Sequence, residues 1–370
     1  MKIHTAQILA LLAVAGLAGC NPGDGTQQFA EGERAYAVRD LRKAEKLFAR
    51  AAELDPANAD AFLMLARARL DLGELEGARV AVRSAAALAG GDSDVVATAA
   101  QIDYHLKDYD SAEKAFRSIA SDAGLSALVR SQAFTGLGIV QMTRDDREAA
   151  RASFLTALKL ERKRNPAAYY HLGLLYRDAF SYAEAAQEQF EMFVRLQDAP
   201  ADKVVKVQRD ILPAIRDSIS RAASLIPNVA SRDSQASAAA LAKAEAAAKK
   251  GSWKTALDLY KESLKLDPLS YPAAIGIAKA HLRAKPPARK LAFEAYCTAA
   301  KLKPMSTSTQ LEAAKMAVEL GQSITAVELY SRALAANPVK LDAVDGLIRA
   351  LRKVGNAKAA NLYQKYRDML

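Results

Sequence analysis

The sequence predicts an all-α protein built from stacked helical hairpins. Three segments, 43–56, 255–268 and 325–338, share one pattern: Ala, an aromatic residue four positions on, a small residue three later, and Pro five beyond that. Aromatic residues make up only 6% of the 370 residues and alanine is abundant, which suits closely packed helices. The leading alanine of the pattern recurs at a spacing of 34 residues in two series, Ala44, Ala78 and Ala112, then Ala292, Ala326 and Ala360.

Each repeat unit reads as two amphipathic helices. Apolar residues fall at i, i+3, i+4 and i+7 in both halves, and the closing Pro ends the second helix because it cannot occupy a helix interior. A small residue at the eighth position lets the paired helices approach closely; these residues are Ala66, Ala100, Gly138, Gly173, Ala244 and Ala278. A single hairpin buries too little surface alone, so we expect the units to stack with contacts between neighbours only.

The pattern resembles the tetratricopeptide (TPR) repeat. About eight or nine units over most of residues 25–370 fit that family. The fifth unit matches it most fully, through Tyr169, Leu172, Gly173, Tyr176 and Ala185. The resemblance implies a right-handed α-α superhelix, the TPR solenoid, whose first helices line a concave groove for protein partners.

The repeats divide into two predicted arrays. An N-terminal array covers 27–227 and ends in a divergent unit interrupted at Pro213; residues 228–237 read as a linker or long turn; a C-terminal array covers 238–370. The net charge changes at the same place. Residues 237–370 carry 22 Lys and Arg and 11 Asp and Glu, a net charge of +11, whereas the net charge of the whole chain is +10. The basic character therefore belongs to the C-terminal array.

The N-terminus reads as a targeting leader. Lys2 precedes an apolar run over 8–18 that is too short to span a membrane, and Leu17-Ala18-Gly19-Cys20 follows it. This resembles the lipobox of bacterial lipoproteins, which implies removal of signal peptide 1–19, lipidation of Cys20 and a tether over 20–26. The residue after the cysteine, Asn21, implies the periplasmic face of the outer membrane. The alternative is an ordinary signal peptide with a chance cysteine.

No catalytic or metal-binding motif stands out. The four histidines are scattered, and neither HExxH, CxxC, GxSxG nor a phosphate-binding loop occurs; Gly136 and Gly138 read as packing glycines. Cys297 reads as a small buried hydrophobic residue and not as a reactive thiol. We therefore expect a protein that is not an enzyme and needs no cofactor.

The resemblance assigns the partner-binding groove to exposed positions of each first helix. A protein or peptide partner is the leading expectation, in a scaffold that serves outer-membrane, pilus, secretion or cell-wall assembly. The alternative is an anionic polymer or lipid, such as peptidoglycan, lipopolysaccharide or nucleic acid, held by the basic C-terminal array. The candidate groove residues are Arg67, Gln101, Tyr104, His105, Tyr170, Leu174, Arg177, Lys279, Arg283, Lys315, Arg349 and Lys353.

Overall fold

A computed structural model describes residues 25–224 and 232–370, and within these ranges it contains helices and turns but no strand. The expected all-α stack of TPR-like hairpins is confirmed. The leader, Cys20 and most of the predicted tether lie outside the described residues. The first helix begins at Thr26, the last residue assigned to that tether.

The contacts group the chain into two compact units, one up to Val140 and one from Gln141 onward. The predicted division at 228–237 falls inside the second unit. The first unit contains α1 (Thr26–Ala37), α2 (Leu41–Leu54), α3 (Ala59–Leu72), α4 (Leu75–Ala89), α5 (Ser93–His105), α6 (Tyr109–Ser121) and most of α7 (Ala127–Thr143).

The second unit continues the same alternation of helices and short turns. It contains α8 (Arg147–Leu160), α9 (Pro166–Leu174), α10 (Ala183–Arg195), α11 (Ala201–Lys206), α12 (Leu212–Ser224), α13 (Ser234–Lys249), α14 (Trp253–Leu266), α15 (Tyr271–Arg283), α16 (Arg289–Leu302), α17 (Thr307–Glu319), α18 (Ser323–Ala336), α19 (Leu341–Lys353) and α20 (Ala357–Arg367). Two π-helical turns, Leu175–Ala179 and Val207–Ile211, extend α9 and join α11 to α12.

Short-range rules explain where the helices start and stop. Asp40, Asp108 and Asp146 cap second helices by accepting a backbone N–H three residues on, which satisfies one of the free donors at a helix start. The repeat prolines follow the ends of α2, α14 and α18 by two residues, as the pattern predicts. Pro213 lies at the second residue of α12, directly after the π turn Val207–Ile211, so the regular α-helical pattern is interrupted where the proline cannot donate a backbone hydrogen bond.

An aromatic side chain of one helix lies over a glycine of the next, which explains the close packing. A Cβ built on Gly136 would lie 2.6 Å from the ring of Phe116, and one on Gly276 would lie 2.4 Å from the ring of Tyr260. The interpretation of Gly136 as a packing glycine therefore agrees with its surroundings.

The expectation of contacts between neighbouring units only is wrong in the second unit. Helix α20 packs against α8, and the hydrogen bond between Arg151 and Tyr363 joins residues 212 positions apart. The last helix of this unit, α20, therefore packs against α8, the first complete helix of the same unit. The Lys358 ammonium of α20 lies 3.1 Å from the carboxylate of Asp146, the residue that caps α8. A repeat pattern predicts contacts between neighbouring units, and it does not predict the contact between α20 and α8.

The end of the predicted linker is helical. Asp233 accepts a hydrogen bond from the backbone N–H of Ala236, and α13 begins at Ser234, four residues before the expected start of the C-terminal array. The Ser237 and Ser263 side chains then join α13 to α14 through buried hydrogen bonds of 2.8 to 3.0 Å. The last four residues assigned to the linker, 234–237, therefore belong to α13, although their apolar periodicity is weak.

Candidate partner-binding surfaces

A groove of about 450 Å³ crosses the first helices of the C-terminal hairpins. We call it the α15 groove, because α15 forms its centre and α13 and α17 form its sides. Its lining residues are Glu245, Tyr260, Tyr271, Pro272, Ile275, Gly276, Lys279, Tyr296, Ser308, Thr309 and Glu312. Three tyrosines beside charged groups give it both apolar area and hydrogen-bonding capacity, which is typical of peptide-binding surfaces.

The tyrosines of the groove are held in place by their neighbours. The Tyr271 hydroxyl lies 2.6 Å from the Thr309 hydroxyl, and the Lys303 ammonium lies 5.5 Å from the centre of the Tyr271 ring. Burial raises the pKa of Tyr260 and of Tyr296, so both phenols stay protonated at neutral pH and remain able to donate hydrogen bonds. None of the three tyrosines is among the groove residues predicted from the sequence. Tyr260 and Tyr296 belong to second helices, and the prediction considered first helices only.

Two of the candidate residues are placed at this groove or beside it. Lys279 is exposed and lines the groove. The Lys315 ammonium forms a 2.9 Å ion pair with Glu312, a groove-lining carboxylate on the same helix. The surface therefore offers an exposed ammonium group and a carboxylate whose charge is partly compensated.

The other C-terminal candidates lie at or near the ends of first helices. Arg283 is exposed, with its guanidinium 5.7 Å from the centre of the Trp253 ring. Arg349 is exposed near Tyr330, and its positive charge opposes the burial that raises the pKa of that phenol. Lys353 is exposed at the last residue of α19.

In the first unit, the candidates fall on α3 and α5. The Arg67 guanidinium donates to the Thr98 hydroxyl at 3.2 Å and lies 3.3 Å from the Asp94 carboxylate, so it joins the two helices. Gln101 and His105 are exposed on α5. The half-buried Tyr104 contacts the His105 ring edge-on at 5.4 Å.

The remaining candidates, on α9 and its π turn, separate into two surroundings. Tyr170 packs against Phe193 and Phe190, with the Lys203 ammonium 5.1 Å from its ring centre. Leu174 is half-buried. Arg177 forms an ion pair with Asp178 and lines a second groove of about 410 Å³.

A fully buried arginine lies where α8 meets the C-terminal helices. The Arg151 guanidinium forms an ion pair with Glu148, and it donates to the Tyr363 hydroxyl at 2.6 Å and to the Ser331 carbonyl at 3.1 Å. Burial lowers the pKa of this guanidinium, but the Glu148 carboxylate and the surrounding tyrosines, Tyr363 first among them, together outweigh that effect and raise it. The cluster is enclosed, so it ties helices together and offers no access to a ligand.

Within residues 25–224 and 232–370, no cluster of His, Cys, Asp and Glu is arranged to hold a metal ion. No helix described there combines the length and apolarity needed to cross a bilayer. The surfaces that remain are grooves and charged edges suited to binding.

The fold and its surfaces define a class: stacked helical hairpins in which aromatic side chains lie over small residues. Sequence comparison agrees. One tetratricopeptide-repeat family model matches residues 35–102, and a second model with the same description matches residues 135–202 and 217–271. The chain is a tetratricopeptide-repeat protein. No curated protein is similar enough to count as a match.

Solved structures with similar folds come from several sources. Pseudomonas aeruginosa pilF is 21% identical over 54% of this chain and 91% of its own, with a TM-score of 0.42. A thermophilic TPR protein of Thermus thermophilus, TTC0263, is 20% identical over 54% of this chain and 100% of its own, with a TM-score of 0.41. A chain of the APC/C hetero-tetramer Cut9–Hcn1 is 14% identical over 97% of this chain and 81% of its own, with a TM-score of 0.39. At such low TM-scores, none indicates what this chain binds.

Proposed function

We propose that this protein is a non-enzymatic scaffold that holds a protein partner in the α15 groove. The observation that carries the proposal is the groove itself, where three tyrosines lie beside the exposed ammonium group of Lys279 and the carboxylate of Glu312. An extended peptide presents both apolar side chains and unpaired backbone groups, and these features suit such a surface. An acidic side chain on that peptide pairs with Lys279.

Capture of partners with matched charge variants tests this proposal. Lys279→Glu reverses an exposed charge in the groove, and Lys265→Glu makes the same change on α14, outside the groove. A partner crosslinked in intact cells and copurified with the parent chain should be lost by about tenfold with the groove variant and retained with the control. Equal retention by both variants contradicts the proposal.

We also propose that Cys20 anchors the scaffold in a bacterial envelope, on the periplasmic side of the outer membrane. The support is the Leu17-Ala18-Gly19-Cys20 pattern after a short apolar run. Each buried methylene of an acyl chain contributes about 0.8 kcal/mol, so several chains hold a protein firmly. Cys20→Ala should move the protein out of the membrane fraction and block its processing; unchanged fractionation and processing would rule the anchor out.

A second candidate function is contact with an anionic polymer or lipid through the basic C-terminal array. It is favoured by the balance of +11 over residues 237–370. Retention on such a ligand falls steeply with salt, because neutralising its phosphates releases bound counterions. Retention that is insensitive to salt would exclude this function and leave the groove proposal untouched.

A further inference from the structure

The basic residues of the C-terminal hairpins concentrate at one edge. Successive helices from α13 to α20 pack against each other in sequence and alternate in direction, so the turns within hairpins share an edge. We call the segments 249–254, 283–290, 319–324 and 352–358 the turn edge. They contain ten basic residues and one acid, Glu319, whereas the opposite turns, 265–271, 301–307 and 335–342, contain four basic residues and two acids.

Contacts between the turns show that they adjoin. Arg283, at the end of α15, lies over Trp253, at the start of α14. Arg289, at the start of α16, lies 3.4 Å from Glu319, at the end of α17. Three successive turns therefore form a continuous surface. The same alternation places the fourth beside them, where Lys358 is paired with Asp146 of α8 and the other basic residues remain exposed.

Helix stability explains part of this charge but not all of it. Lys249 and Lys353 end first helices, where positive charge interacts well with the helix dipole. Lys254 and Lys290 occupy the second position of α14 and α16, where positive charge is unfavourable. Both are exposed, and neither has a carboxylate within ion-pair distance in the described part of the chain.

Exposed aliphatic side chains lie among these charges. Ile324, at the second position of α18, is 80% exposed; Leu291 of α16 and Val354 at the end of α19 are 48% and 39% exposed. A nucleic-acid backbone leaves such side chains in water. The interfacial layer of a bilayer buries them while its headgroups pair with the lysines.

We propose that the turn edge binds the surface of an anionic lipid bilayer. Its ammonium and guanidinium groups contact lipid phosphates, and Leu291, Ile324 and Val354 enter the layer beneath them. The proposal deepens the second candidate function and rests on it, naming the face and the ligand. It does not depend on the α15 groove or on lipidation of Cys20.

Vesicle binding tests the proposal with a charge-matched pair of variants. The parent is the full chain with Cys20→Ala, and binding is compared between phosphatidylcholine vesicles and the same vesicles with one quarter phosphatidylglycerol. In Lys254→Glu/Lys290→Glu the preference for anionic vesicles should fall by about thirtyfold or more, since each lost lysine contributes about fivefold and each new carboxylate is repelled by the surface. The helices α14 and α16 should fold at least as well, because Glu suits a helix start.

The control is Lys265→Glu/Lys301→Glu at the opposite turns. The change in net charge is identical, but these lysines lie a helix length away, about 20 Å, beyond the screening distance of about 8 Å at physiological salt. The control should keep most of the preference for anionic vesicles. Equal losses in both variants, or no loss in either, would overturn the proposal.

A third variant distinguishes lipid from nucleic acid. Ile324→Ser removes the most exposed aliphatic group of the turn edge. It should weaken binding to anionic vesicles severalfold and leave any retention on duplex DNA unchanged. If duplex DNA binds as tightly as vesicles and Ile324→Ser affects neither, the edge serves nucleic acid and the lipid proposal is wrong.

Discussion

The turns within the N-terminal hairpins and those within the C-terminal hairpins occupy equivalent places in the repeat but differ in charge. The segments 36–42, 70–76, 104–110 and 142–148 carry nine acids and five basic residues, whereas the turn edge carries one acid and ten basic residues. The change is clearest at the second position of each second helix. There α4, α6, α8 and α10 have Glu76, Asp110, Glu148 and Glu184, and α14, α16, α18 and α20 have Lys254, Lys290, Ile324 and Lys358. The N-terminal exception is Arg42 of α2, whose charge is compensated by Glu74 at 2.6 Å.

This difference separates residues selected for the fold from residues available for binding. An acid at the second position of a helix stabilises that helix through its dipole, so the N-terminal pattern is explained by folding alone. Lys254, Lys290 and Ile324 in the C-terminal hairpins oppose or ignore that rule, whereas the charge of Lys358 is compensated by Asp146 at 3.1 Å. Glu148 illustrates a third use of the same position, since its carboxylate also binds Arg151 where α8 meets α18 and α20.

Removing the buried arginine should produce the largest loss of stability. It tests how strongly the contact of α8 with α18 and α20 stabilises the second unit. In Arg151→Met, Glu148 loses its ion-pair partner, and we expect unfolding of this unit to become easier by about 3–5 kcal/mol. Hydrogen exchange of the amides in α8 and α20, measured against denaturant, provides the readout.

Arg69 supplies the matched control in the first unit. Its guanidinium lies 2.9 Å from Glu45, but both side chains are partly exposed, at 25% and 19%. Arg69→Met should therefore cost about 1 kcal/mol or less and leave exchange in α8 and α20 unchanged. Equal losses of unfolding free energy in the two variants would show that the burial of Arg151 does not increase the contribution of its ion pair to stability.

Acid should weaken the N-terminal part of the second unit through His171. Burial, assisted by Lys203, lowers the pKa of His171 to about 4 from its ordinary 6.5, so the unfolded chain binds the extra proton between these pH values. Stability should fall by ~3 kcal/mol as the pH drops from 6.5 to 4. His171→Leu should remove most of this pH dependence in thermal unfolding; an unchanged slope would contradict the assigned burial.

The packing of the C-terminal hairpins is tested by adding one methyl group. In Gly276→Ala the new Cβ meets the Tyr260 ring at 2.4 Å, so the ring or α15 must shift, and we expect a loss of about 1–3 kcal/mol. Gly251→Ala is a poor control because its φ is +76°, which strains any side chain. Ala273→Gly, in the same helix, should cost about 1–2 kcal/mol, because it adds backbone entropy to the unfolded chain and removes a fully buried methyl group. Melting temperatures that fall no further for Gly276→Ala than for Ala273→Gly would contradict the close approach.

The smallest change in stability is expected at the second position of a second helix, where the N-terminal and C-terminal hairpins differ in charge. Lys290→Glu installs in α16 the residue type that α4 has at the same position, and we expect a gain of about 0.3–1 kcal/mol. Slower hydrogen exchange in the first turn of α16 would confirm it. A loss of stability would mean that Lys290 contributes to the fold and would remove the argument for its role in binding.

The sequence predicted the hairpins because their determinants are local and periodic: alanines every 34 residues, aromatic residues four positions on, and prolines after second helices. It did not predict the closure of α20 on α8, since Arg151 meets Ser331 and Tyr363 across about half the chain and no repeat position marks it. The groove was predicted in part. Lys279 follows from its place on a first helix, whereas Tyr260 and Tyr296 reach the groove from second helices, Tyr260 by passing over Gly276.

Site-specific photo-crosslinking tests the central claim, that the C-terminal hairpins bind a protein partner through the α15 groove. A photoreactive residue is placed at Ile275, which lines the groove, or at Lys265, which does not. Irradiation of intact cells should link a discrete partner to position 275, and excess unlabelled parent chain should compete for it, with no such product from position 265. Identical products from both positions, or none from either, would contradict the claim.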